Sequence, residues 1–241
     1  MGIKMGSGTE ANMDIRRYLS ALPMFRELSQ TGSNSIIQYC SLLRVGSGEM
    51  IFTKGEACKQ MHVLISGRIK LYVESTSGQE KIVELVRPGQ SFAGAAMFLE
   101  NLYLLNAKSL TSSLLMSISK EAVLGEIARN PEFSMHMLSS FSNRIKGLLH
   151  DVEGYALNSA KKRLIDYLLT ELVGEHSQFK GLVSVYLPAS KATIASRLSV
   201  TPEYFSKVLH ELEAAGLIEI DKREIRIVDT HQLALYGDIS I

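Results

Sequence analysis

Residues 191–229 read KATIASRLSVTPEYFSKVLHELEAAGLIEIDKREIRIVD, and the fold is decided by how this stretch is parsed. Two short helical runs flank the three-residue turn Ser199-Val200-Thr201. A helix–turn–helix needs a small residue inside its first helix, an apolar residue in the turn and apolar anchors in the second helix. Ala195, Val200, Phe205 and Val208 meet those needs, with Ile194 and Leu198 completing the buried side of the first helix. The second helix has a strong start: Thr201 as N-cap, Pro202 at the first helical position and Glu203 behind it. Phe205, Val208, Leu209 and Leu212 share its apolar face. Glu203, Ser206, Lys207 and His210 are left pointing outward. In a DNA major groove a carboxylate accepts from cytosine N4, a hydroxyl serves several bases, and a lysine donates to guanine O6 and N7. Glu203, Ser206 and Lys207 are therefore the base-reading candidates, and Thr201, Tyr204 and His210 are placed beside them as supporting or phosphate contacts.

Two alternating apolar runs, LIEI and EIRI, follow around the charged turn DKR. That pattern predicts a hairpin, and a hairpin after a reading helix makes a winged helix. Lys222, Arg223 and Arg226 on it suit phosphate contacts. Residues 158–229 carry ten Lys/Arg and ten Asp/Glu, so the winged segment is not basic overall. The whole chain is balanced as well, with 26 Lys+Arg against 25 Asp+Glu. Attraction to a polyanion must come from local arrangement instead of bulk charge.

Upstream, Ser119 caps a short helix ending near Asn130, and Pro131 opens a longer one running to residue 157. Within the longer helix Leu138, Phe141, Ile145, Leu148, Val152 and Tyr155 step by three and four residues. This heptad seam is narrower than the stripe of a helix buried in its own domain, so it predicts pairing with a second copy. Such a helix would be about 40 Å long. Gly147 and Gly154 weaken it by about 1 kcal/mol each relative to Ala, so it needs a partner.

Residues 44–118 have another texture: short β-favouring runs such as MHVLISG, RIKLYVE and QEKIVELVRPGQ, separated by glycines. Strands at this spacing predict a small antiparallel barrel or sandwich. The first dozen residues, rich in Gly and Ser, read as a flexible leader of the kind an expression tag leaves, and no secretory signal is present. The composition, 46% hydrophobic and 21% charged, is that of a globular domain, and no apolar run is long enough to span a bilayer. The 241 residues suit one large or two modest domains. Cys40 and Cys58 are too few for a disulfide framework, a zinc pattern or an iron–sulfur cluster. They read as reduced thiols of a cytoplasmic protein.

The order of these parts resembles the cAMP receptor protein/fumarate–nitrate reduction (CRP/FNR) superfamily of transcription regulators, over nearly the whole chain from Met13 onward. TPEYFSKVLHELEAAGLIEI is similar to the family's E-x-x-S-R recognition helix and wing, with Lys207 where arginine is usual. Lysine lacks the rigid bidentate fork, which loosens selectivity for guanine. MHVLISGRIKLYVESTSGQEKIVELVRPGQSFAG resembles the family's cyclic-nucleotide-binding fold. The resemblance implies an α+β chain: a leader at 1–12, an antiparallel β-roll sensing domain at 13–130, a dimerisation helix at 131–157 and a winged helix–turn–helix at 158–241. It further implies a homodimer on double-stranded DNA with TTGA-like half-sites about one helical turn apart, and contact with RNA polymerase. A shift of the roll on the long helix would turn both winged helices about the junction near Asn158.

Family members that bind cAMP use a Gly-Glu pair for the ribose and an Arg-Ser for the phosphate. Here Gly94 is followed by Ala95 and Ala96, and no arginine occurs between Arg87 and Arg129. A buried phosphate without a cation is costly, and Lys108 is a poor substitute, so the sequence argues against cAMP. The loop is instead apolar: Phe92, Met97, Phe98, Leu99, Leu102, Leu104 and Leu105, with Met135 and Met137 nearby on the long helix. FAGAAMFLENLY resembles the dissimilatory nitrate respiration regulator branch, associated with haem and nitric oxide. On that resemblance Phe92, Met97, Phe98, Leu99 and Leu105 are effector-site candidates, and His62 and His136 haem-ligand candidates. Simple packing of the roll accounts for the same residues. A regulator answering to a cyclic nucleotide or another small ligand, and a sensor acting through protein partners without DNA, remain as alternatives. An enzyme does not: the sequence holds no nucleophile–base pair, phosphate-cradling loop or metal spacing.

Overall fold

The structure, a computed structural model, describes residues 3–4, 9–22, 25, 30–99, 101–174 and 183–238. The chain forms two compact units, Met1–Lys146 and Gly147–Ile241. The first holds an all-antiparallel β-roll. Its strands are β1 (Ile3–Lys4), β2 (Cys40–Val45), β3 (Met50–Phe52), β4 (Gln60–Ser66), β5 (Ile69–Glu74), β6 (Glu80–Val86), β7 (Ser91–Phe92), β8 (Asn106–Ser109) and β9 (Ser113–Ser119). They pair as one sheet in the order β1-β2-β9-β4-β7 and a second in the order β3-β8-β5-β6. Both sheets contribute to a single core, in which Met61, Leu64, Leu115 and Met116 from the first meet Ile69, Leu71, Val86 and Ala107 from the second. Fully burying a large apolar side chain stabilises by about 1.5–3 kcal/mol, which is what holds the two sheets face to face. Gly67, between β4 and β5, has φ 96°. A Cβ there would also sit 2.7 Å from the Ser112 carbonyl oxygen, so only glycine fits.

Helices α1 (Thr9–Ala21) and α2 (Gln30–Ile37) precede the roll. Helix α1 starts inside the stretch that the sequence presents as a leader, and Ile15 and Leu19 on it join the core. Helix α3 (Lys120–Arg129) is capped by Ser119, whose side chain accepts from the Ala122 N–H. The corner after it is built by Asn130: its Oδ1 accepts from Phe133 N at 3.1 Å, and its Nδ2 donates to the buried Glu126 at 3.1 Å. Pro131 then opens α4 (Pro131–Leu157). In its first turns Phe133 and Met137 are buried, Phe133 stacking on Phe25 at 5.7 Å. Arg144 pairs with Glu84 of β6 at 2.9 Å.

The second unit contains the end of α4, then α5 (Ala160–Gly174), β10 (Val183–Tyr186), α6 (Lys191–Leu198), α7 (Pro202–Ala214), β11 (Ile218–Asp221), β12 (Glu224–Ile227) and α8 (Thr230–Asp238). The hairpin read from LIEI and EIRI becomes a three-stranded sheet in the order β10-β12-β11. Among the described residues, no helix is long and apolar enough to cross a membrane.

His62 is the clearest case of a candidate site residue absorbed by the core. It lies on β4, opposite Ser117 of β9 and Phe92 of β7. Its ring stacks on Phe52 and Phe92 at 5.8 and 5.2 Å, and Nδ1 is 2.9 Å from Ser117 Oγ. Burial pushes its pKa down from 6.5 to about 4. The folded state therefore holds His62 neutral where the unfolded chain protonates it. Stability from this group is complete above pH 6.5 and is lost as pH falls towards 4. The total loss is about 3 kcal/mol. Urea titrations at pH 7 and pH 4.5 should show a steeper loss for the wild type than for His62→Phe; equal losses would contradict the buried, neutral imidazole.

Candidate nucleic-acid interface

The helix–turn–helix forms as its local signals require. Ser190 caps α6, its Oγ accepting from Thr193 N at 3.1 Å. The helix stops at Ser199, which adopts a left-handed conformation at φ 56°, and the Val200 N–H returns to the Ala195 carbonyl at 3.0 Å. Thr201 then caps α7, accepting from Tyr204 N at 3.2 Å. Ala195 has no exposed surface, so the two helices meet where a larger side chain would hold them apart. Phe205, Val208, Leu209 and Leu212 are buried beneath α7.

The residues that remain on the outer side of α7 are those expected to meet DNA. Glu203, Lys207 and His210 are exposed, and Ser206 and Tyr204 are half-buried. The Lys207 ammonium is 3.8 Å from Glu211, and His210 Nδ1 is 3.5 Å from Glu213. Glu211 also pairs with Lys161 of α5 at 3.2 Å. These are solvent-facing pairs of small worth, which a groove contact can replace. The acidic neighbours Glu211 and Glu213 are a feature that base-reading logic alone missed, although their i+4 and i+3 spacing from Lys207 and His210 was visible.

The three cationic residues of the wing differ in their surroundings. Lys222 forms its turn at φ 56°, and both Lys222 and Arg223 are exposed at the tip. Arg226 is surrounded by the wing's own carboxylates. It lies 3.3 Å from Glu224, and 3.8 Å from both Glu219 and Asp221. The Glu224 hydrogen bond holds the guanidinium pKa above its ordinary value. The reason is cross-strand register: Arg226 sits directly opposite Glu219 in the β11–β12 ladder. Lys222 and Arg223 are the more exposed of the three candidates for phosphate contact.

The proposed dimer seam is likewise divided. Ile145 and Val152 are 58% and 62% exposed, and Leu138 and Leu148 are exposed with them. Phe141 instead packs against the roll's core and meets Phe98 edge-on at 5.7 Å. Tyr155 is taken by the helix–turn–helix: its hydroxyl donates to the Arg197 carbonyl at 2.7 Å and accepts from Arg197 Nη1 at 2.9 Å. Met135, Leu149 and Leu157, absent from the heptad reading, add to the exposed apolar surface of α4.

Among the effector-site candidates, Phe92 and Met97 belong to the buried core. Residues Gly94–Met97 form a tight 3-10 turn entered by Ala93 at φ 67°. Phe98 and Leu99 are exposed and Leu105 is half-buried. His62, enclosed by two aromatic rings and bonded through Nδ1 to Ser117, does not fit the role of haem ligand. His136, half-buried on α4, is the candidate left.

A β-roll followed by a long helix and a winged helix–turn–helix defines a DNA-binding transcription regulator with an attached sensing fold. Comparison with known proteins agrees. Residues 42–130 match the cyclic nucleotide-binding domain family, and residues 162–236 match the Crp-like helix-turn-helix domain family. The CRP-like cAMP-activated global transcriptional regulator of Mycobacterium tuberculosis is 22% identical over 78% of this chain and 84% of that protein. Electron transport regulator A of Shewanella oneidensis is 25% identical over 79% of this chain and 76% of its own. The structure of FixK2 from Bradyrhizobium japonicum shares the fold, with a TM-score of 0.73 at 16% identity, covering 84% of this chain and 98% of that one. The chain belongs to the CRP/FNR superfamily of transcription regulators.

The two kinds of DNA contact separate in a binding assay. Glu203→Ala should relax discrimination at one base pair by about 1–3 kcal/mol, while Arg223→Ala should weaken all duplexes alike and lower the salt slope by about one. Equal losses from both on every sequence, measured by fluorescence anisotropy, would contradict this sorting of roles.

Proposed function

We propose that the protein is a homodimeric regulator that reads a palindrome with one α7 per half-site, under control of an effector other than cAMP in the β-roll. The observation that carries the dimer is the apolar stripe on α4, where Leu138, Ile145, Leu148 and Val152 recur at heptad spacing and remain partly exposed. Single exposed apolar residues are ordinary, but a contiguous row of them on one helix marks an interface. Two-fold symmetry then presents two α7 helices to successive major grooves, about 34 Å apart. TTGA-like half-sites are what the likeness of Glu203 and Ser206 to the family's E-x-x-S-R motif implies, with a looser guanine preference from Lys207. RNA polymerase is the further partner such a regulator addresses.

The effector reading rests on residue chemistry. Ala95 and Ala96 stand where a ribose-binding glutamate is needed, and no arginine is available to a phosphate between Arg87 and Arg129. Haem, with nitric oxide as signal, is proposed from the FAGAAMFLENLY string and its likeness to the dissimilatory nitrate respiration regulators, with His136 as the ligand candidate. Haem would supply a gas-binding iron; the chain's part is limited to an apolar surface at Phe98 and Leu99 and an imidazole at His136.

Ile145→Asp or Val152→Asp should convert the protein to monomers in sedimentation and reduce palindrome binding at least tenfold. An intact dimer with full affinity would remove the seam. Titration with haemin should give a stoichiometric Soret band that His136→Ala abolishes. Without a band, the haem reading falls and the regulator reading stands.

A further inference from the structure

The end of α4 and the helix–turn–helix are tied by a group of contacts to which the reading of DNA assigns no part. Asp151 accepts two hydrogen bonds from Arg197 Nη2, at 2.8 and 2.7 Å to its two oxygens. One turn later, the Tyr155 hydroxyl accepts from Arg197 Nη1 at 2.9 Å and donates to the Arg197 carbonyl at 2.7 Å. From α5, Arg163 donates to the Leu198 carbonyl at 3.0 Å, the Ser199 carbonyl at 3.3 Å and the Asn158 carbonyl at 2.9 Å. Its guanidinium lies 5.7 Å from the centre of the Tyr155 ring.

We propose that Arg197 is a positioning residue for DNA reading: it fastens α6, and through it α7, to the last turns of α4. Three features support this. The Arg197 and Asp151 side chains are each only 20% exposed, so the pair is shielded enough to resist salt screening. A planar guanidinium held at three points fixes direction as well as distance, which a lone lysine would not. The carbonyls at the end of α6, which lack intrahelical partners, are claimed by Arg163 and Tyr155, so the turn before α7 is held from two sides. Residues 147–157 accordingly belong to the compact unit that contains the helix–turn–helix. Turning the helix–turn–helix about Asn158 would break the contacts of Arg197 with Asp151 and Tyr155.

This inference rests on α7 being the DNA reader. Arg197 touches no DNA in it. Its loss should loosen the alignment of two reading heads while sparing each head on its own. Arg197→Met should lower affinity for a palindromic duplex at least tenfold, leave affinity for a duplex carrying one half-site unchanged, and leave the salt slope unchanged. Asp151→Asn in the same chain should add no further loss. An equal fall on palindrome and half-site would overturn the proposal, and so would a salt slope reduced by about one, or additive losses. Arg197→Lys keeps the charge and most of the packing and guards against misfolding. It should fall between wild type and Arg197→Met, and wild-type behaviour would overturn the proposal. Hydrogen exchange on the free protein separates this claim from the DNA reading. Amides of 147–157 and 191–198 should open together in the wild type and separately in Arg197→Met, whereas separate opening in the wild type would contradict the clamp. Failure of the wild type to hold any duplex would instead defeat the DNA reading.

Discussion

Helix α4 leaves a row of apolar side chains partly exposed, and the proposed assembly depends on covering them. At its start Phe133 and Met137 sink into the core of the roll, and Phe141 packs on its edge. At its end Asp151 and Tyr155 hold Arg197. Between and beside these anchors Leu138, Ile145, Leu148, Leu149 and Val152 face solvent. Each is already partly covered, so pairing would gain about half of the ~1.5–3 kcal/mol that full burial of such a side chain is worth, summed over five residues. In the proposed homodimer a second copy of the same helix would offer the complementary stripe, a two-fold axis making the same patch serve on both sides.

The reading head answers a different constraint: recognition without bulk positive charge. Residues 158–229 carry ten Lys/Arg against ten Asp/Glu, and the wing shows how they pair. Arg226, opposite Glu219 and near Glu224 and Asp221, is spent on the hairpin's own register. Lys222 and Arg223 at the turn, and Glu203 and Lys207 on α7, stay exposed as the proposed phosphate and base contacts, with Ser206 half-buried beside them. Few electrostatic contacts mean that affinity depends on placing two heads correctly, which gives the clamp at Arg197 its importance.

Much of this was legible in the sequence, because the deciding signals are local. Ser119 and Thr201 announce helix starts, Pro131 and Pro202 sit at first helical positions, and LIEI and EIRI alternate as a hairpin must. What was not legible depends on partners distant in sequence. Tyr155 belongs to the heptad by spacing, yet Arg197, 42 residues on, claims it. His62 looks like a ligand until Ser117, Phe52 and Phe92 close around it. Arg226 looks free until strand register brings carboxylates to it. Helix α2, with the polar sequence QTGSNSII, shows no helical period, and its Ile36 and Ile37 find their place only against the completed core.

The central claim is that two identical heads read DNA as a rigidly aligned pair. Selection of bound duplexes from a random pool, followed by hydroxyl-radical footprinting of the winner, tests it most directly. The account predicts a palindrome whose two half-sites lie about one helical turn apart, each protected in the major groove. A single half-site, or an asymmetric footprint with no preferred spacing, would contradict it.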